Sequence, residues 1–101
     1  MSKKLVYLKT GEYVVTDLLK VTDAEDYNKI LAFVFRNPKQ ILTETQWEGS
    51  QNNRSIQVKV NLLTWPQFTK TTEVEVFPDA VTTVVDPTDE LLKLYEDSLN
   101  G

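Results

Sequence analysis

The chain contains no cysteine and no histidine among its 101 residues. Without cysteine there can be no disulfide framework and no thiolate metal site. Without histidine the chain lacks the usual general base, the usual switch near neutral pH and the commonest transition-metal ligand. Serines such as Ser50 and Ser55 therefore have no base of that type to activate them. We expect a protein that is not an enzyme and that uses no metal or other cofactor.

Long apolar runs and an excess of positive charge are also missing. No stretch approaches the ~20 apolar residues that cross a bilayer, and the apolar run after the basic start is too short for a signal peptide. The net charge of −4 gives no general attraction to nucleic acid or anionic lipid. We therefore predict a single domain over residues 1–101, located in the cytoplasm and without a membrane partner.

The first half of the chain is rich in β-forming residues separated by turn signals. Lys4–Leu8 and Tyr13–Leu18 flank Gly11 and predict a hairpin. The nearly unbroken apolar run 30–35 predicts a strand that is covered on both faces. Because Pro38 follows, we expect either one strand bent there or two short strands. The region 48–53, centred on Gly49-Ser50, is expected to be a loop tip.

The clearest alternation in the chain lies in its second half. Aliphatic residues at 56, 58, 60 and 62 alternate with polar ones, so a slip of one residue would expose the whole aliphatic set. Val74 and Val76 alternate with Glu73 and Glu75 in a further strand, and Val81–Val85 forms the last one. We therefore place all the strands within residues 3–85.

A helix is predicted at the end of the sequence, at about residues 87–99. Asp86 is expected to be its N-cap, Pro87 its first residue, and Asp89 and Glu90 the acids of its first turn. Its apolar stripe must dock on the strands, because a helix this short is marginal alone. The stripe consists of Leu91, Leu92, Leu94, Tyr95 and Leu99. A mostly β fold, built as a small barrel with a C-terminal α-helix, is the most economical arrangement.

Several short motifs resemble those of Sm-like proteins. Leu8-Lys-Thr-Gly11-Glu, the strand that follows it and the acidic loop Asp23–Asn28 resemble the first Sm motif. The strands 72–77 and 81–85 stand where the second motif would be. More specifically, the chain resembles small Sm-like proteins of tailed bacteriophages, including those of cyanobacteria. That likeness lies in Arg36-Asn-Pro38, Leu63-Thr-Trp65-Pro66 and the segment from Val85 to Tyr95.

This resemblance implies a five-stranded Sm-like (SH3-like) barrel, a homo-oligomeric ring and, for a phage protein, a place in the host bacterial cytoplasm. Two features depart from the family pattern. The helix follows the barrel instead of preceding it, and Phe77-Pro78-Asp79-Ala80 replaces the Arg-Gly pair of the second motif. In RNA-binding Sm proteins that arginine helps to hold the base, so the family's usual RNA-binding pocket would lack one of its residues in this chain.

Three functions follow as expectations. The first is a non-catalytic assembly module that pairs strand edges with copies of itself. Its candidate interface residues are Ile56, Val58, Val60, Trp65, Val74, Val76, Val81 and Val84. The second is an RNA-binding ring that recognises bases through Asp26, Tyr27 and Asn28. Against it, the acidic residues of this loop repel phosphate, and Asp and Asn are common in turns. The third is a monomeric SH3-like adaptor that binds a peptide through Trp65, Tyr7 and Tyr13.

Overall fold

The computed structural model of the protein describes residues 2–49 and 55–100, and they form a mostly β fold with one C-terminal α-helix, as predicted. The strands are β1 (Ser2–Leu8), β2 (Tyr13–Thr22), β3 (Ile30–Glu48), β4 (Ser55–Thr64), β5 (Glu73–Val76) and β6 (Val81–Val85). A short 3-10 helix, Pro78–Ala80, joins β5 to β6, and helix α1 covers Asp89–Asn100.

The described strands form one antiparallel sheet in the order β4-β3-β2-β1-β6, with β5 paired to β3 beside this path. Among these residues β5 and β6 are consecutive in the chain but are paired with different strands, so the sheet is open between them. The expected closed barrel of five strands is therefore not confirmed, because six strands are present and the sheet is open.

The first hairpin is formed as the sequence predicted. Tyr7 lies opposite Tyr13, and Gly11 adopts a φ of +92° in the turn between the two strands. The Gly11 N–H donates to the carbonyl of Leu8 at 2.9 Å. A side chain at position 11 would be strained at this φ, which explains why glycine occupies the turn.

Strand β3 runs through Pro38 without interruption, so the first of the two alternatives for this region is correct. Asn37 bends the strand with a φ of +49°, a conformation that asparagine tolerates better than most residues. Before the bend, Phe33–Arg36 pairs with β5; after it, Lys39–Glu48 pairs with β4. Pro38, which has no N–H to donate, thus lies where β3 changes its partner on that side.

The buried core lies around the first part of β3. Val6, Val14 and Phe35 are completely inaccessible to solvent, and Phe33 and Val76 are nearly so. Val6 and Val14 lie opposite each other in the pairing of β1 with β2, so both strands contribute to this core. The core therefore occupies the half of the molecule that also carries α1.

Helix α1 is fixed to the bend of β3 through Tyr95, which is fully buried. Its hydroxyl lies 3.1 Å from the carbonyl oxygen of Arg36 and 3.0 Å from that of Asn37. The Thr16 hydroxyl donates to the same Arg36 carbonyl at 2.9 Å. With Tyr95 donating to Asn37, both carbonyls at the bend have a partner.

The start of α1 differs from the prediction. The cap is Thr88, whose hydroxyl accepts a hydrogen bond from the Leu91 N–H at 3.2 Å, and α1 begins at Asp89. Asp86 instead pairs with Lys4 on β1. Both residues are good caps by type, and the ion pair with β1 is a tertiary contact that the local sequence does not reveal. Of the predicted stripe, Leu94 and Leu99 stay exposed.

Candidate functional site: an exposed apolar arm

The long hairpin of β3 and β4 extends beyond the rest of the sheet. Strand β2 accompanies β3 only as far as Gln40, opposite Val14, whereas β4 continues from there to Glu48. The last eight register pairs, Ile41–Leu62 to Glu48–Ser55, therefore form a two-stranded ribbon. We call residues 41–48 and 55–62 the arm. At ~3.3 Å per residue it is about 26 Å long, which accounts for the 64 × 26 × 25 Å extents of the molecule.

One face of the arm is apolar. Residues opposite each other in an antiparallel pair share a face, which places Trp47 with Ile56, Thr45 with Val58, Thr43 with Val60 and Ile41 with Leu62. The side chains of Trp47, Ile56 and Val58 are 67%, 58% and 63% exposed. Exposure falls toward the base of the arm, where Leu62 is half-buried. We refer to these eight residues as the apolar arm face.

The alternation predicted for 56–62 is therefore correct in its facing but not in its burial. The sequence pattern led us to expect that only a slip in register would expose this aliphatic set. In the structure the predicted register is present, and Ile56, Val58 and Val60 are still exposed. The reason is the length of β3, which carries this part of β4 past the elements that bury the other strands.

The opposite face of the arm is mostly polar. Glu44 lies opposite Lys59, and Asn61 lies opposite Leu42. Cross-strand pairs of opposite charge favour this register by a few tenths of a kcal/mol. The arm is thus amphipathic. An isolated hairpin with one uncovered apolar face is marginal in water.

The outer edge of the arm is also unpaired among the described residues, because β4 has β3 as its only strand neighbour there. An edge strand presents N–H and C=O groups that can pair with another chain. Contiguous apolar patches on a monomer rarely exceed a few hundred Å², and larger ones mark interaction sites. The arm combines an exposed apolar face and an unpaired strand edge in one element.

The predicted interface residues lie in two different environments. Ile56, Val58 and Val60 lie on the apolar arm face. Val76 is buried in the core, and the remaining four are half-buried against it: Trp65, Val74, Val81 and Val84. The structure thus places three of the eight residues on an accessible surface of the arm and assigns the other five to the packing of the body.

The candidate RNA-reading loop is exposed and is shaped by its own acids. The Asp23 carboxylate accepts the N–H of Glu25 at 2.8 Å, and the Asp26 carboxylate accepts that of Asn28 at 3.0 Å. These are local turns of the type that Asp favours. Tyr27, 80% exposed, is free to stack on a flat group. Their role in these turns accounts for the two aspartates, and Tyr27 is the residue of the loop that could still recognise a base.

The three aromatic residues suggested for peptide binding do not share one surface. Tyr7 and Tyr13 stack with ring centroids 4.8 Å apart, on the face of β1 and β2 opposite the buried Val6 and Val14. Trp65 instead packs on the core residue Phe35 with ring centroids 5.8 Å apart. A single groove lined by all three aromatic residues is therefore not formed.

A small apolar pocket lies beside Trp65. It has a volume of about 180 Å³ and is lined by Leu8, Trp65, Val76 and Ala80 together with the turn 9–12. The Trp65 indole N–H donates to the Glu12 carboxylate at 3.0 Å, and the Thr10 hydroxyl donates to its other oxygen at 2.8 Å. These bonds hold the turn against the indole and define the rim of the pocket. This pocket could not be predicted from the sequence, because its lining comes from four separate segments.

The loop between β4 and β5 carries an exposed aromatic residue in an unusual backbone conformation. Phe68 is fully exposed, and its φ of +66° is in the left-handed region. That region is unfavourable for a bulky aromatic residue. The sequence could not predict this backbone conformation, because phenylalanine does not favour a positive φ.

No family model matches the chain, and no curated protein matches it significantly. Within residues 2–49 and 55–100, no helix has the length and apolar character needed to cross a membrane. The same residues contain no cluster of three potential acidic metal ligands.

Proposed function

We propose that the protein is a non-catalytic assembly module that associates with copies of itself through the arm. The observation that carries this proposal is the exposed apolar arm face, bordered by the unpaired edge of β4. Burying such a face is favourable by about 25 cal/mol per Å² of apolar area removed from water. Pairing the edge satisfies backbone groups at the same time.

A second copy of the chain fits this surface better than a small molecule does. The apolar arm face is a flat array of valine, isoleucine and threonine side chains with one tryptophan, and such sheet faces pack against other sheets. A small ligand needs a concave site that surrounds most of its surface. Another copy brings an apolar face and an open strand edge of the same kind.

The Sm-like character of the module belongs to the same proposal. Three observations support a barrel-like closure: β5 pairs with β3, β6 pairs with β1, and only the short 3-10 helix separates β5 from β6. The motif resemblance is the basis for proposing a ring, a phage origin and a place in the bacterial cytoplasm. A head-to-tail contact between identical subunits closes into a ring when its rotation permits.

The test is a pair of substitutions on opposite faces of one strand. Val58→Lys puts a charge on the apolar arm face, whereas Gln57→Lys adds the same charge on the polar face. We expect the wild type and Gln57→Lys to be oligomeric at micromolar concentration by size exclusion with light scattering, and Val58→Lys to be monomeric. Circular dichroism should be the same for all three, because Val58 is exposed in the monomer.

Two results would contradict the proposal. One is a wild-type protein that stays monomeric from one to several hundred micromolar. The other is an assembly that is unaffected by Val58→Lys, which would leave the apolar arm face without a role in self-association.

RNA binding by the assembled ring is a second candidate, supported by the exposed Tyr27. Stacking of a base on an aromatic ring is worth ~1–3 kcal/mol, so Tyr27→Ala should weaken binding of oligo-uridine at least fivefold. The neighbouring acids oppose this function, and wild-type protein that fails to bind the oligonucleotide at low salt would eliminate it. A peptide adaptor would have to use the Tyr7–Tyr13 pair alone.

A further inference from the structure

Phe68 is an exposed aromatic side chain held in an unfavourable backbone conformation. It has 102% of its reference exposure, so its ring lies against no other part of the described protein. Its positive φ is unfavourable for a residue with a Cβ atom. Strained and exposed residues of this kind occur at binding sites, where the conformation is needed for a contact.

The pocket beside Trp65 has the right size and chemistry for a phenyl ring. A cavity of about 150 Å³ lined by apolar side chains is known to bind benzene, and this pocket measures about 180 Å³. Leu8, Val76 and the indole of Trp65 supply apolar walls.

We propose that Phe68 of one copy inserts its ring into the pocket beside Trp65 of the next copy. This inference rests on the proposed self-association and adds a second contact to it. Within one copy the pocket is open and Phe68 is fully exposed, so the ring does not occupy its own pocket. The projecting ring and the pocket are different surfaces of the same chain, which makes the contact head-to-tail.

This contact would relieve two energetically unfavourable features of the monomer. Phe68 exposes its whole ring and adopts an unfavourable φ, and both costs are offset when the ring is buried in a neighbour. Aromatic side chains that fill a pocket at the centre of an interface are the typical residues that dominate binding energy. The head-to-tail direction also matches the ring proposed above.

The first test is Phe68→Gly, with Tyr27→Ala as the matched loss of an exposed aromatic residue in another loop. Glycine accepts the positive φ without strain, so the monomer should fold at least as stably as the wild type. We expect Phe68→Gly to raise the concentration at which the assembly half-dissociates by tenfold or more in analytical ultracentrifugation. Tyr27→Ala should leave that concentration unchanged.

The second test measures whether the pocket is filled, using fluorobenzene as the probe and ¹⁹F NMR as the readout. The monomeric Val58→Lys variant should bind the probe, and adding Ala80→Phe, which fills the pocket, should abolish binding. The assembled wild type should not bind it, because Phe68 of a neighbour occupies the site. Assembled Phe68→Gly should bind the probe.

The outcomes separate this inference from the proposed function. A wild type that never assembles removes both. If the wild type assembles through the arm but Phe68→Gly neither weakens it nor opens the pocket to fluorobenzene, the proposed function stands and the role of Phe68 is wrong.

Discussion

The body and the arm are built from the same kinds of strand residue and differ in what covers them. In the body, Val14 is completely buried between neighbouring strands and the core. In the arm, Val58 alternates with polar residues on its strand and is 63% exposed. The difference teaches that alternation determines which way a side chain faces, whereas burial depends on whether another element reaches that part of the sheet.

The largest expected effect comes from making one substitution in both regions. Val14→Thr introduces a hydroxyl into the core without changing the shape of the side chain, and we expect a loss of about 1–3 kcal/mol in the free energy of unfolding. Val58→Thr should change it by no more than about 0.5 kcal/mol, because the hydroxyl stays in water. Urea denaturation of both variants, at a protein concentration low enough to keep them monomeric, measures this difference.

Equal losses at the two positions would break the comparison. They would mean that the arm is buried as well as the body is, so that the two regions do not differ in the monomer.

A second prediction concerns the anchor of α1 in the body. Tyr95→Phe keeps the ring but removes the hydroxyl that lies within 3.1 Å of two carbonyls at the bend. We expect a loss of about 1 kcal/mol in the free energy of unfolding, the typical net contribution of one hydrogen bond. Tyr27→Phe is the control, because Tyr27 is exposed and its hydroxyl can be solvated. If Tyr95→Phe does not change the free energy of unfolding, the packing of the ring alone fixes the helix.

The smallest expected effect is a dependence of the free energy of unfolding on pH that comes from Tyr95. Burial raises the pKa of the Tyr95 hydroxyl above its ordinary value of 10.0; the backbone N–H of Asp17 lowers it, and the charge of Asp17 raises it further. Because the folded-state pKa is the higher one, this contribution to stability is complete below pH 10 and is lost as the pH rises through the folded-state pKa.

The measurement is the urea midpoint between pH 8 and pH 11 for the wild type and Tyr95→Phe. The two proteins are otherwise identical, so the difference between the two curves reports on Tyr95. That difference should shrink as the pH rises. Parallel curves would mean that Tyr95 ionises as readily in the folded protein as in the unfolded chain.

Local chemistry explains which parts of the fold the sequence could predict. Gly11 marked the first turn, Pro38 marked the bend of β3, and Trp65-Pro66 marked the end of β4. Each of these residues restricts its own backbone, so its effect does not depend on distant contacts. The predicted strands and the C-terminal helix were confirmed for the same reason, within a few residues at their ends.

The candidate site was harder to predict because it depends on differences in length between strands. Nothing near Val58 shows that β2 stops accompanying β3 at Gln40 while β4 continues. The pocket beside Trp65 combines residues from distant segments, and Thr88 replaced Asp86 as the cap because Asp86 pairs with Lys4. These are tertiary effects, which override local preference.

The bend of β3 has a geometric consequence for any assembly that uses the arm. One continuous strand links the core to the arm, and its direction changes at Asn37, where Tyr95 and Thr16 hold the neighbouring carbonyls. The inclination of the arm is therefore set inside each subunit and is repeated in every copy. In a closed assembly, that inclination would determine the curvature and hence the diameter. The three polar contacts at the bend would then determine how many subunits the assembly contains.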